Sequence, residues 1–393
     1  MDRKTLDQVA LTGKRCFMRC DFNVPIHDGQ IADDARIRQA LPSIQYALDH
    51  GARLLLASHL GSPKGHEPEL SLAPVAARLT ELLGRPVPLA GDCMGDEVQH
   101  RAAALHNGEA LLLENLRYHA GEKKNDPEFA RALATGVEVY CNNAFGTAHR
   151  AHASMVGMAQ LCPVRVAGFL LRDEVDYLST VIADPAHPFV AIIGGSKVSS
   201  KIGVLDHLVE QVDRFLIGGG MAFTFLAAQG KEVGGSLVER EMVETARTIM
   251  AKASAKGVGF DLPLDCVVAR EIQDDAEIRI TGVDDIPADQ KGLDIGPATV
   301  RAWEPILRGA KLVVWNGPMG VYELEPFRSG TAHVAHILGE GKATSIIGGG
   351  DTADAVKRVG EAERMTFIST GGGASLELLE GKTLPGVAVL DPA

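Results

Sequence analysis

Apolar runs of strand length alternate along this chain with segments whose apolar residues recur at helical spacing. That alternation predicts an α/β architecture with parallel sheets flanked by helices. In the first half, the strands fall at 15–20, 53–57, 110–113 and 137–142, and the helices near 34–49, 72–83 and 127–135. Close to Gly168 the pattern changes. Residues 170–182 read as one amphipathic helix, broken by Asp184-Pro185-Ala186-His187-Pro188. A second alternating series follows, with strands at 189–193, 214–217, 266–269, 311–315, 344–347 and 366–369. The segment 384–393 is too apolar at 387–390 for a free end, and packing back onto the body is expected.

The length of 393 residues exceeds one ordinary core and suits two domains. No apolar run approaches the length of a membrane span, and Met1-Asp2-Arg3-Lys4 is not followed by an apolar signal region, so a cytoplasmic protein with no membrane partner is expected. Cysteines 16, 20, 93, 141, 162 and 266 are scattered without CxxC spacing and are read as reduced thiols. A net charge of −12 argues against nucleic acid as a partner. The charge is uneven, with 18 Lys+Arg against 19 Asp+Glu up to residue 170 and 21 against 32 beyond it. An anionic substrate therefore belongs with the first half.

Two glycine runs carry the strongest chemical signal. Gly348-Gly349-Gly350-Asp351-Thr352 and Gly371-Gly372-Gly373 each separate an apolar run from a helix-like segment. Glycine lets backbone approach a ligand, and free N–H groups in a helix's first turn favour an anion. A nucleotide-phosphate site follows, with Asp351 suited to hold Mg²⁺. After the strand at 189–193 come Gly194-Gly195-Ser196 and then Lys197 and Lys201, which at a spacing of four would share one helix face around phosphates. Glu323, after Asn316-Gly317-Pro318, suits ribose hydroxyls. In the first half, consecutive strand ends deliver Asp21 and Asn23, then His59, then Arg117, then Arg150, with Arg36 on the following helix. Arginines repeated at strand ends suit phosphate or carboxylate recognition. His149 and His152 lack a companion metal ligand. Gly381-Lys382-Thr383 imitates the end of a Walker loop, but it follows a helix and lacks the first glycine.

Taken in order, the stretches RCDFNVP, SHLGSPKG, ENLRYHAGE, NNAFGTAHRAHAS, GGSKVSSKI, IGGGMAFTF, LDIGP, WNGPMGVYE, GGGDTADA and STGGGASLELLEG resemble phosphoglycerate kinases of the bacterial type over essentially the whole chain. The resemblance implies two Rossmann-like domains around a deep hinge-bending cleft: 1–170 for 3-phosphoglycerate, an interdomain helix at 171–185, a nucleotide domain at 186–380, and 381–393 packing back toward the first. It implies a monomeric glycolytic phosphotransferase with a carboxyl acceptor. The reaction is direct in-line transfer between 1,3-bisphosphoglycerate and ADP after closure, with Mg²⁺ and ATP/ADP. It also assigns roles. Asp21, Asn23, Arg36, His59, Leu60, Gly61, Ser62, Arg117 and Arg150 would bind the phosphoglycerate. Lys201, Gly292, Glu323, Gly349, Gly350, Asp351 and Thr352 would bind the nucleotide, Asp351 holding its metal. Arg36, Lys197, Lys201, Gly371 and Gly372 would be catalytic. The chain departs from the family's usual HLGRPKG at Ser62, which removes an arginine from the substrate rim, and has Tyr322 where Phe is common. Two other readings remain open on sequence: a nicotinamide dehydrogenase, against which the missing dinucleotide fingerprint counts, and a phosphate-ligand sensor, to which Ser62 lends what support there is.

Overall fold

A computed structural model describes the chain from Met1 to Ala393; only the side chains of residues 180 and 181 lie outside the described residues. The chain forms two compact units, Met1–Ser179 with Thr383–Ala393, and Thr180–Lys382. The division falls inside the helix Phe169–Ala183.

The sheet of the first unit contains β1 (Arg15–Cys20), β2 (Arg53–Ala57), β3 (Ala110–Leu112), β4 (Val139–Asn143) and β5 (Val164–Ala167). Their order is β3-β2-β1-β4-β5, and every pairing is parallel. Central strands of such a sheet are covered on both faces, which is why β1 is buried from Cys16 to Cys20 without alternation. Strand order reverses between β1 and β4, and a ligand crevice in open α/β sheets lies beyond the strand ends at such a point. Register fixes what emerges there: Arg19 pairs with Ala57 and Asn142, and Cys20 with Asn143. Residues 21–23, 58–62 and 144–150 therefore leave the sheet on one rim.

The segment 383–393 completes this unit. Asp391 N–H donates to the Arg165 carbonyl (2.9 Å), and its own carbonyl accepts from Lys4 N–H (2.9 Å). The Asp391 carboxylate takes Arg165 Nε (2.8 Å), and Asn142 Nδ2 donates to the Gly386 carbonyl (2.9 Å).

The second unit has a six-stranded parallel sheet of β6 (Phe189–Ile193), β7 (Arg214–Ile217), β8 (Gly259–Asp261), β12 (Leu312–Asn316), β13 (Thr344–Gly348) and β14 (Phe367–Ile368), ordered β8-β7-β6-β12-β13-β14. Between them in sequence, β9 (Asp265–Ala269), β10 (Arg279–Gly282) and β11 (Lys291–Ile295) form a separate antiparallel sheet, ordered β10-β9-β11. This corrects the expectation that 266–269 continues the parallel series. An apolar run reports burial, and it says nothing of the sheet that provides it. Here the cover is a local core of Phe223, Leu226, Val233, Cys266, Val268, Val283 and Ile286. The main sheet again reverses order, between β6 and β12, and Asn316 pairs with both Ile193 and Gly348. Gly194, Gly317 and Gly349 consequently emerge side by side.

Candidate active site

On the first unit's rim buried apolar and half-buried polar residues alternate. Cys20 and Phe22 are buried, while Asp21 and Asn23 are half-buried. Arg36, from the first turn of the helix Ala35–Asp49, donates through Nη1 to Asp21 Oδ2 and to the Asn23 carbonyl, both at 3.2 Å. Asn23 Oδ1 accepts from Gly61 N–H at 2.8 Å, tying the first loop to the second. Arg117 donates to the Gly61 carbonyl at 2.6 Å, yet its Nε and Nη2 are buried with no protein partner. Donors of a buried guanidinium are costly to leave unpaired, and these two are available to an incoming anion. Burial, with Arg150 and Arg19 beside it, lowers the Arg117 guanidinium to about 10.

His59 is buried at the centre of the rim. Burial, reinforced by Arg19, Arg117, Arg150 and Arg36, drives its pKa well below the usual imidazole value, so the ring is neutral. The four arginines around it form a positive field that a polyanion would relieve. Leu60 is buried, Gly61 half-buried, and Ser62 and Arg150 exposed.

Several residues that build this rim are not apparent from strand-end chemistry. Arg19 is fully buried, donates through Nε to Ser154 Oγ (2.8 Å), and sets Nη2 against His59 Nδ1 (3.2 Å). Buried Glu122 accepts from the Ser154 hydroxyl (2.6 Å) and amide (2.9 Å), compensating the Arg19 charge from 3.9 Å. Asn115 uses its whole amide: Oδ1 accepts from Leu60 and Arg117 N–H, and Nδ2 donates to the Leu60 and Leu70 carbonyls. It fixes the loop bearing Gly61 to the turn bearing Arg117. Arg19 and Asn115 lie close to strand ends, but nothing in the sequence marks Glu122 or Ser154.

In the second unit the strand ends meet closely. Gly194 N–H donates to the Asn316 carbonyl (2.8 Å), and Gly317 N–H to Thr352 Oγ1 (2.7 Å). Gly317 has φ +96°, and a Cβ there would lie 2.2 Å from Gly194 backbone atoms, so only glycine fits. Asn316 is the junction: its Oδ1 accepts from Lys201 Nζ, and its Nδ2 donates to the Gly348 carbonyl at 2.9 Å.

The two lysines do not share a helix face, which corrects the spacing argument. Lys197 is exposed in irregular chain, residues 199–201 make a turn, and the helix Ile202–Leu208 begins only after Lys201, its N-cap. Lys201 is 8% exposed; burial lowers its pKa, with Asp351 and Glu380 opposing. Gly349 caps the helix Gly350–Arg358, and Gly371 caps Gly372–Leu379. The two helix starts are adjacent, since a Cβ at Gly372 would sit 3.5 Å from Gly350 N. Beside them is a cavity of about 540 Å³, lined in part by Gly195, Gly219, Gly220, Leu237, Gly292, Pro318, Val321, Tyr322, Glu323 and Asp351. Gly292 is required by space, because a Cβ there would overlap the Phe223 ring at 1.9 Å.

The comparisons with known proteins agree with one another. The sequence model of the family described as phosphoglycerate kinase matches residues 6–382. The chain belongs to the phosphoglycerate kinase family. Phosphoglycerate kinases of Acaryochloris marina and Chlorobium luteolum are each 53% identical to it, covering 100% of both chains in each comparison. Among solved structures, phosphoglycerate kinase from Coxiella burnetii shares 40% identity with a TM-score of 0.89, and that from Pyrococcus horikoshii 30% with 0.86, each covering 98% of both chains. The chain is thus a phosphotransferase acting on small-molecule substrates, with the family's glycolytic phosphoryl transfer between 1,3-bisphosphoglycerate and ADP as its reaction and ATP/ADP among its substrates.

Proposed function

We propose that the first unit binds 3-phosphoglycerate and the second binds the nucleotide, with the phosphoryl group passing directly between the two ligands. The observation that carries the reading is the ring of arginines around neutral His59, with Arg117 Nε and Nη2 buried and unpaired. A small acid with both a phosphate and a carboxylate answers that excess of donors. Asp21, Asn23, His59 and the Leu60-Gly61-Ser62 backbone orient it, Arg117 and Arg150 hold its charge, and Arg36 reaches the carboxylate that attacks.

On the nucleotide side, Glu323 takes ribose hydroxyls, and Gly292 leaves room for the base against the apolar wall. The helix starts at Gly349-Gly350 and Gly371-Gly372 offer N–H groups to phosphate, with Thr352 alongside. Lys201 and the exposed Lys197 spread the charge of the transferring group. Asp351 is exposed in the first helical turn and borders the same cavity, so its carboxylate fits a hard cation. Mg²⁺ held there would neutralise phosphate oxygens. We further infer a cytoplasmic monomer, to be checked by sedimentation and fractionation.

The test is ADP formation from ATP and Mg²⁺ with and without 3-phosphoglycerate, with a coupled dehydrogenase removing product. Turnover that needs 3-phosphoglycerate, and falls at least about 100-fold in Lys201→Ala, supports the assignment. Turnover retained in Lys201→Ala would sink the role given to that lysine.

A further inference from the structure

Beside the substrate rim lies a group of side chains that no step of the transfer uses. The segment 88–92 runs alongside β3 as a short extra edge: Ala90 N–H donates to the Leu112 carbonyl (2.8 Å) and Leu112 N–H to the Pro88 carbonyl (2.9 Å). This brings Asp92 and Cys93 to the end of β3, where the chain turns through Leu116–Tyr118 into His119. Donor atoms of Asp92, Cys93 and His119 all lie within 4.8 Å of one another, and among the described residues this is the one such group of three. Hydrogen bonds already hold the donors together. His119 Nε2 is 2.7 Å from Asp92 Oδ1, and that oxygen also accepts from Cys93 N–H at 2.6 Å. The His119 ring stacks on Phe129 at 5.3 Å between centroids. Cys93 is 2% exposed and forms the floor, while the Asp92 and His119 side chains are 46% and 26% exposed and form an open side.

We propose that Asp92, Cys93 and His119 form a binding site for a thiophilic divalent cation of the Zn²⁺ type, with solvent in the fourth position. Thiolate, imidazole and carboxylate together are a zinc donor set, at roughly 2.3, 2.0 and 2.0 Å from the ion. Tetrahedral placement needs donors about 3.3–3.7 Å apart. The present 2.7 Å between Asp92 and His119 has to open slightly, and Asp92, half in solvent, is free to swing. Binding forms a metal–sulfur bond, and the Cys93 thiol proton leaves to solvent. The site is separate from the hard-cation position at Asp351. Soft sulfur selects against Mg²⁺, so the nucleotide's metal does not compete for it.

The experiment is a titration of the metal-stripped full chain with CoCl₂, read by the thiolate-to-cobalt charge-transfer absorption, followed by displacement with ZnCl₂. One equivalent of cobalt should give the band, ZnCl₂ should remove it, and millimolar MgCl₂ should leave it. Cys93→Ser should abolish the band and His119→Gln should weaken binding at least about tenfold. The second variant keeps every cysteine, so it tests the site even where Cys93→Ser folds poorly. Metal-free melting of both variants separates lost ligation from lost fold. Absence of the band, its persistence in Cys93→Ser, or unchanged affinity in His119→Gln would each overturn the proposal.

Discussion

Ser62 stands exposed immediately after Gly61, whose N–H and carbonyl are already committed to Asn23 and Arg117. An arginine there would add a charge-assisted bond to an anion bound on this rim as proposed. Such bonds contribute about 1.5–3 kcal/mol, or roughly 10- to 100-fold in affinity. Ser62→Arg is therefore expected to lower KM for 3-phosphoglycerate by that factor with little change in kcat; equal Michaelis constants would refute it. His59 provides a second residue-scale expectation. Its folded pKa is depressed well below the unfolded value near 6.5, so its contribution to stability is full above that value and is lost as pH falls below it. His59→Gln should flatten the acid side of the stability–pH curve between about pH 6.5 and 5, measured by urea denaturation. An unchanged slope would mean the ring is not held neutral. Asp21, Asn23, His59 and Arg117 were legible in the sequence because each follows a clear apolar strand. Arg19, Glu122 and Asn115 were not, because their roles depend on distant partners such as Ser154 and Leu60.

At the scale of elements, the parallel strands were the readable part. The central ones are buried runs, and β1, β2, β6 and β7 begin and end where the pattern places them. β5 escaped notice because Val164-Arg165-Val166-Ala167 is short and carries an arginine that pairs with Asp391. β8 is three residues long, and none of them is fully buried. The antiparallel β10-β9-β11 sheet was invisible for a different reason, since pairing partners are not encoded in any one strand's pattern. The helix expected at Lys197 failed because Ser199 and Ser200 sit in a turn, with the Ser199 hydroxyl bonded to Glu239 (2.6 Å) and the Ser200 hydroxyl to the Lys197 carbonyl (2.9 Å). Where β6 and β12 end, Gly317 lets their backbones meet. Gly317→Ala combines a positive φ with overlap against Gly194 and should cost on the order of 3 kcal/mol or more. A thermal melt checks this; a wild-type melting temperature would show that the strand ends separate easily.

Over the whole molecule, the first unit is assembled from two stretches of chain with the second unit between them. Besides the Arg165 bonds to the Asp391 carboxylate and Arg3 to the Leu390 carbonyl, the segment 383–393 is tied to it by Lys4 to Asp391, Asp391 to Arg165, Gly386 to Ala148 and Asn142 to Gly386. It also buries Leu384 and Leu390. At about 0.5–1.5 kcal/mol for each of the last four bonds, deleting residues 383–393 should destabilise the first unit by roughly 2–6 kcal/mol before the Asp391 carboxylate, Arg3 and the leucines are counted. Hydrogen exchange should show faster exchange through β4 and β5 with the second unit's strands unaffected. Equal loss of protection in both units would contradict the division.

The same connectivity sets a timetable for the nascent chain. Residues 383–393 leave the ribosome only after the roughly 200 residues of the second unit, which at about 5–20 residues per second is a delay of about 10–40 s. Through that interval Asn142 lacks its acceptor at Gly386 and Arg165 lacks Asp391. The unit begun first is thus completed after the second, and the surface that 383–393 covers is what a chaperone would meet in the meantime.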